Sequence, residues 1–187
     1  MELFLAESPV CEVEMKIAII YGSTTGMTQI VAGKIKERLG DLADEPADVS
    51  TFNPERIADY DALLLGIPTW NIGEMQEEWE DVAPKFLIPE LQGKRVAMFG
   101  LGDQMGYPDT FGDALGLLWD IIEPAGPVLF GRWPTEGYEY EASAGERDGT
   151  FLGLMCDDDQ QPELTEERLD KWCAQVLQEL GAGSAVS

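Results

Sequence analysis

Short β-branched runs alternate with helical periodicity along most of the chain. Lys16–Tyr21 (KIAIIY) is a continuous apolar run of the kind found in a strand covered on both faces. Met27, Ile30, Val31, Ile35 and Leu39 then recur at helical spacing, and Gly40 supplies the stop. A weak strand at Ala47–Thr51, a helical turn after Pro54, a strong strand at Ala62–Gly66, a helix over Glu77–Phe86 and a strand at Arg95–Gly100 follow. Asp109–Glu123 carries Phe111, Leu115, Leu118, Trp119 and Ile122 in one apolar stripe. Pro127–Phe130 reads as the last core strand. Thr165–Leu180 reads as the final helix, capped by Thr165, with Glu166 and Glu167 in its dipole-favoured first turn.

Strands and helices alternating at this spacing predict an α/β fold, a doubly wound parallel sheet in three layers. One such domain is expected over residues 15–180. Residues 132–149 (RWPTEGYEYEASAGERDG) are polar, aromatic and turn-rich, and are expected to form an insertion before the apolar run Thr150–Cys156. Residues 1–14 read as a disordered extension or an over-long start before Met15, and residues 181–187 as a flexible tail.

Composition narrows the chemistry. Twelve basic against 36 acidic side chains give a formal charge of −24. Such a surface repels nucleic acid and anionic membranes and attracts a basic protein at long range, although solubility or a saline habitat would select the same excess. No histidine is present, which removes histidine triads and bases and the commonest zinc ligand. The 3 cysteines, Cys11, Cys156 and Cys173, have no CxxC spacing, so no metal or disulfide framework is expected and a cytoplasmic location fits. The first residues resemble neither a secretory signal nor a transit peptide, and no apolar stretch approaches a membrane span.

Ligands of doubly wound sheets bind at the carboxyl ends of the strands, which directs attention to three loops. GSTTGMT places Ser23, Thr24, Thr25 and Thr28 around Gly26 and Met27 at a helix N-terminus. Unpaired N–H groups and the helix dipole there suit a phosphate dianion. Plain capping explains one hydroxyl but not four around a glycine. The loop lacks the lysine of a nucleoside triphosphate loop, so a terminal monophosphate held by neutral donors is expected. After the strand at Ala62–Gly66, Pro68 turns the chain and PTWNIGE sets Trp70 in a loop. GLGDQMGYPD supplies Tyr107. Either aromatic alone reads as a lid on the core; two on separate loops beside a phosphate loop can sandwich a flat ring, with glycines letting backbone amides reach its edge.

These segments, GSTTGMT, PTWNIGEMQEEWE and FGLGDQMGYPDTFGDALGLL, resemble in order the three flavin-binding segments of flavodoxins, and residues 133–172 resemble the insertion and closing helix of the long-chain members. The resemblance spans about Met15 to Leu180. It implies a flavodoxin-like five-stranded sheet, bound FMN, and low-potential one-electron transfer in place of ferredoxin by a monomer, with no catalytic residue and no metal. Implied partners are ferredoxin–NADP reductase, photosystem I and, in some organisms, nitrogenase reductase. Carried onto this chain, Ser23, Thr24, Thr25, Gly26, Met27 and Thr28 hold the phosphate. Thr69 and Asn71 meet the ribityl chain and ring edge, Trp70 and Tyr107 stack on the ring faces, and Pro68, Ile72 and Gly73 of the same segment are cofactor-binding as well. Leu101, Gly102 and Asp103 border the pyrimidine end, with backbone donors from Gly102 and Asp103, and Asp159 reaches the ribityl chain. Met27, Leu101 and Thr110 depart from the lysine, threonine and asparagine frequent there. The acidic run Glu74–Asp81 has three readings: it lowers the potential, steers a basic partner, or is a solvated helix face. The competing readings are a flavin enzyme such as a quinone reductase, which needs an open pocket above the ring, and a response-regulator-like module, which needs clustered acids at the first strand's end.

Overall fold

The alternating buried runs form a central parallel sheet in a computed structural model that describes residues 15–182; the expectations for residues 1–14 and 183–187 lie outside these. In chain order the elements are β1 (Ile17–Tyr21), α1 (Met27–Leu39), β2 (Ala47–Asp48), β3 (Ala62–Trp70), β4 (Glu74–Met75), α2 (Glu77–Val82) and β5 (Arg95–Leu101). They continue with α3 (Asp113–Ile122), β6 (Val128–Leu129), β7 (Trp133–Pro134), β8 (Glu146–Arg147), β9 (Thr150–Phe151), β10 (Leu154–Cys156) and α4 (Thr165–Leu180).

The spatial order is β10-β5-β3-β1-β2, with β6 also on β5, and every pairing among these is parallel. The chain reverses its winding between β1 and β3, which is where such a sheet opens a crevice. β1, β3 and β5 are almost wholly buried because helices cover both faces. On one face α1 and α4 pack together, and Arg38 of α1 bonds Glu166 (2.8 Å) and Asp170 (2.7 Å) of α4. Trp172 of α4, fully buried, meets Phe99 edge-on at 6.2 Å and donates its indole N–H to Gly131 O (2.7 Å). α3 lies on the other face, with Leu115 close over Gly100.

Several boundaries differ from the sequence reading; β2 ends at Asp48 and α2 at Val82, and others bear on the site. β3 does not stop at Gly66 but runs through Pro68 to Trp70, pairing Pro68 with Leu101. Proline is tolerated because Gly66, two residues earlier on the same side, still faces β1 through Gly22 N–H, whereas β1 ends before it would flank Pro68. Trp70 is therefore the last residue of a strand, not a loop residue. Pro127–Phe130 is not the last core strand: β6 pairs only Arg95 and Val96, and β10 pairs Phe99, Gly100 and Leu101. The fifth position of the sheet is thus shared by two segments. Asp109–Glu123 is interrupted by Phe111 and the left-handed Gly112 (φ 70°), and the α-helix starts at Asp113. Thr165 is the first residue of α4, not its cap; its hydroxyl bonds the Asp158 carboxylate. Gly181, the first residue of the expected tail, closes α4 in the left-handed region (φ 78°).

Between the two halves of the shared edge, β7, β9 and β8 make a small antiparallel sheet. Tyr138, Tyr140 and Phe151 from this segment pack on Phe111 with ring centroids 5.5–5.9 Å away, and such pairs contribute about 0.5–1.5 kcal/mol each beyond area burial. The return to β10 passes through Gly153, where a Cβ would lie 2.0 Å from Met98 O. Gly153→Ala should therefore cost about 1–3 kcal/mol in denaturant titration. Gly33→Ala, in the middle of α1 with nothing within 4 Å of the new methyl group, should instead stabilise by roughly 0.5–1 kcal/mol.

Burial pushes the thiols of Cys156 and Cys173 up to about 12 from 9.0. Below pH 9 they are neutral in both states. Between 9 and 12 the unfolded chain ionises them and the folded chain does not, so stability falls as pH rises through that window. Urea midpoints measured from pH 8 to 11 should fall, and less steeply in Cys156→Ala.

Candidate functional site

A cleft of about 520 Å³ opens at the carboxyl ends of β1, β3 and β5. Its first wall is the turn from β1 into α1. Gly26 caps the helix at φ 87°, a conformation that favours glycine, with its N–H on Ser23 Oγ (3.0 Å) and its carbonyl on Ile30 N–H (3.1 Å). Among the described residues no acceptor meets the N–H groups of Thr24, Thr25, Met27 or Thr28. Thr25, Met27 and Thr28 line the cleft. Thr24 faces an adjoining groove of about 420 Å³, and Ser23 and Gly26 shape the turn from behind. Several unpaired N–H groups at the positive end of a 13-residue helix give this wall donors and a positive dipole end of the kind that suits an anion without a basic side chain.

The second wall is the end of β3. Pro68, Thr69, Trp70 and Asn71 line the cleft. The chain then turns through Asn71 (φ 44°), Ile72 and Gly73 (φ 80°) into β4, which pairs back so that Trp70 faces Glu74. The backbone angle of Gly73 favours glycine, and a Cβ there would also displace the Asp113 carboxylate, whose Oδ2 would lie 2.6 Å away. Thr69 Oγ1 accepts the Ala114 N–H (3.3 Å), tying β3 to the start of α3, and Asn71 Nδ2 donates to Glu74 Oε2 (2.5 Å). Ile72 is 79% exposed at the tip of the turn and, like Gly73, does not reach the cleft. The Trp70 indole N–H is buried without a partner among the described residues.

The third wall follows β5. Leu101, Gly102, Asp103 and Tyr107 line it. Asp103 Oδ1 receives the N–H groups of Met105 (3.0 Å) and Gly106 (2.7 Å), curling the loop so that Tyr107, 47% exposed, borders the same cleft as Trp70. One expected donor is not free: Gly102 N–H is engaged by Cys156 O (3.1 Å), because β10 continues alongside β5 to this point. Asp103 N–H has no partner among the described residues. Asp158 and Asp159 complete the wall. Partial burial first, and then the carboxylates of Asp103, Asp157 and Asp158, raise the Asp159 carboxyl above its ordinary value.

Sequence reasoning missed three contributors. Asp158 lines the cleft beside Asp159. Asp157, wholly buried, takes the Gln104 N–H (3.0 Å), the Gln104 side-chain amide (2.8 Å) and the Gln160 N–H (2.9 Å). Gln104, 2% exposed, also accepts the Glu139 N–H from the antiparallel segment. No periodicity marks which member of an Asp-Asp-Asp run turns inward; the glutamine in GLGDQMGYP was the one available signal.

The sequence profile described as flavodoxin matches residues 19–172. The chain belongs to the flavodoxin family. The flavodoxin of Haemophilus influenzae is 47% identical over 165 residues, covering 88% of this chain and 95% of that protein. The flavodoxin of Picosynechococcus is 43% identical over 168 residues, covering 89% and 98%. Among solved structures, Fusobacterium nucleatum flavodoxin bound to flavin mononucleotide superposes with a TM-score of 0.81 at 30% identity, over 88% of this chain and 98% of that one.

The buried link from Asp157 to Gln104 predicts a measurable effect on this member of the flavodoxin family. Gln104→Leu removes one of three donors from a buried carboxylate and should cost about 1–3 kcal/mol of stability. Hydrogen exchange should accelerate at residues 103–107 while β1 and β3 stay protected.

Proposed function

We propose that this chain is a low-potential one-electron carrier that holds FMN non-covalently in the cleft. The observation that carries the reading is the meeting of three features in one crevice at the switch point: an anion site of neutral donors, and Trp70 and Tyr107 on separate elements. Ligand binding at that point follows a general rule for doubly wound sheets, for which flavodoxin is itself a reference case.

The donor set fits the group. Unpaired N–H groups and hydroxyls at the start of α1 match a terminal phosphate, and a cleft of about 520 Å³ walled by two aromatics matches a flat ring. In this reading Thr69, Asn71 and Asp159 serve the ribityl chain and ring edge, and Thr69 keeps its hydroxyl proton free while its oxygen accepts from Ala114. Asp103 N–H is the backbone donor for the pyrimidine end.

Bound FMN supplies the redox chemistry, taking and giving electrons singly with a proton at ring nitrogen N5. The Asn71–Ile72 peptide, in a turn that Gly73 completes, would offer its carbonyl as acceptor for that proton. Trp70 and Tyr107 exclude water from the ring. Glu74, Glu77 and Glu80, which border the groove on the far side of Trp70, oppose any added negative charge. Each ~1.4 kcal/mol of such opposition lowers a one-electron potential by about 59 mV. The charge of −24 steers a basic redox protein toward the exposed edge of the cleft. Ferredoxin–NADP reductase, photosystem I and nitrogenase reductase have the right chemistry for this role, which the chain would perform as a cytoplasmic monomer. Among the described residues no helix is long and apolar enough to cross a membrane.

Apoprotein mixed with FMN should quench flavin fluorescence, and dithionite titration should then bleach the visible spectrum in two resolved one-electron steps. A single two-electron step would replace the carrier with a quinone-reductase reading. Trp70→Ala and Tyr107→Ala should each weaken binding and move the second step to higher potential.

A further inference from the structure

At the end of the sheet remote from the cleft, Leu87, Ile88, Pro89, Gln92, Pro124 and Ala125 line a groove of about 360 Å³. It lies at the foot of β5, where Gly93 N–H bonds Gly126 O (2.8 Å). All its lining residues but Gln92 are apolar; Ile88 and Ala125 pack against the hydrophobic core from outside, and Leu87 is 47% exposed. An apolar groove on a chain of charge −24 marks a contact surface, and what covers it can be sought nearby. The amino end of β1 is close. Lys16 N–H bonds the Asp61 carboxylate (2.7 Å) just before β3, and Lys94 Nζ reaches Tyr60 O from the start of β5. Since β3 alone separates β1 from β5, Met15 stands two strand spacings, about 10 Å, from the strand whose foot carries the groove.

Residues 1–14 (MELFLAESPVCEVE) carry the bulky apolar trio Leu3, Phe4 and Leu5, and residues 6–14 separate that trio from Met15. Nine extended residues span about 30 Å, so the trio reaches the groove with slack to spare. The charged side chains of the segment are Glu2, Glu7, Glu12 and Glu14, with no lysine or arginine among them. Around the groove Lys16, Lys85 and Lys94 enter no ion pair among the described residues, while Glu90 and Glu123, next to lining residues in sequence, temper the match. The opposite terminus is a poorer occupant, since Val186 is the one apolar side chain larger than alanine in residues 183–187. We propose that the Leu3–Leu5 stretch of this chain docks in the groove at the amino ends of the strands, its apolar side chains covering Leu87, Ile88 and Pro124 and its glutamates meeting the lysines. The tether supplies an effective concentration on the order of mM, so a contact too weak to hold a free peptide suffices.

Amide NMR spectra of the full chain test this without reference to the cofactor. Substituting Leu3→Ser, Phe4→Ser and Leu5→Ser together should shift the backbone amide signals of residues 87–92 and 124–126 and leave those of the cleft loops, 22–28, 69–74 and 101–107, in place. Hydrogen exchange at Leu91 and Gln92, whose N–H groups bond Ile88 O and Pro89 O, should quicken in the same variant. Leu87→Asp, a change at a half-exposed position, should move the amide signals of residues 3–5 to the positions they take in a synthetic peptide of residues 1–14. Unmoved signals at 87–92 and 124–126 in the triple variant overturn the proposal, as do shifts centred elsewhere on the molecule. Shifts that grow with protein concentration, or that appear in the isotope-labelled triple variant on adding unlabelled wild type, make a second copy the occupant and overturn it as well.

Discussion

The carbonyl oxygen of Gly66 accepts two hydrogen bonds, from Gly22 N–H at 3.0 Å and from the Trp79 indole at 2.9 Å. It sits where β1 has ended and β3 continues, so the pair of bonds fixes the point at which two neighbouring strands part. Everything bordering the cleft is placed relative to that parting. Gly22 leads directly into the turn before α1, and Gly66 leads directly into Ile67–Trp70, which travel on without β1 beside them. Both positions must be glycine for steric reasons: a Cβ on Gly66 would meet the Phe99 ring at 2.2 Å, and one on Gly22 would meet the Gln76 side chain and the Trp79 ring. A crevice is thus built by backbone approach, with aromatic rings filling the space that side chains would otherwise take.

Around this point the three walls are stiffened by different means. The turn before α1 uses a left-handed glycine and a serine hydroxyl. The end of β3 uses a hairpin whose Gly73 packs under Asp113. The loop after β5 uses the carboxylate of Asp103, the buried Asp157 and the amide of Gln104, with the antiparallel segment joined through Glu139. None of these relies on a basic side chain, which suits a chain that has 12 lysines and arginines against 36 acids. The site carries its polarity in backbone dipoles and hydroxyls, where a neutral donor set avoids the desolvation cost of a buried cation.

Much of the fold was legible because its central strands and amphipathic helices obey local rules. β1, α1, β5 and α4 fall within a residue or two of the periodic segments, and the three loops singled out for ligand chemistry do converge on one cleft. What local pattern could not convey is adjacency. Pro127–Phe130 and Thr150–Cys156 look alike as short apolar runs, and only the ladder with β5 shows that they share one sheet position. Pro68 reads as a corner in isolation; it is tolerated in a strand because of where a different strand stops. Gln76, Gln104 and Asp157 are buried polar residues in loop-like sequence, and burial of that kind depends on partners about 35 to 53 residues away in the chain.

The sharing of one sheet position between β6 and β10 has a bearing on solubility. An open sheet ends in rows of unpaired N–H and C=O groups that can recruit another chain. Here the outer row on one side is two residues of β6 and three of β10, separated by a folded antiparallel segment, and on the other side it is the two residues of β2. Among the described residues neither side offers a run long enough to template a further strand. The interruption that hides the fifth strand from a reader of the sequence also denies a foothold to intermolecular β-pairing.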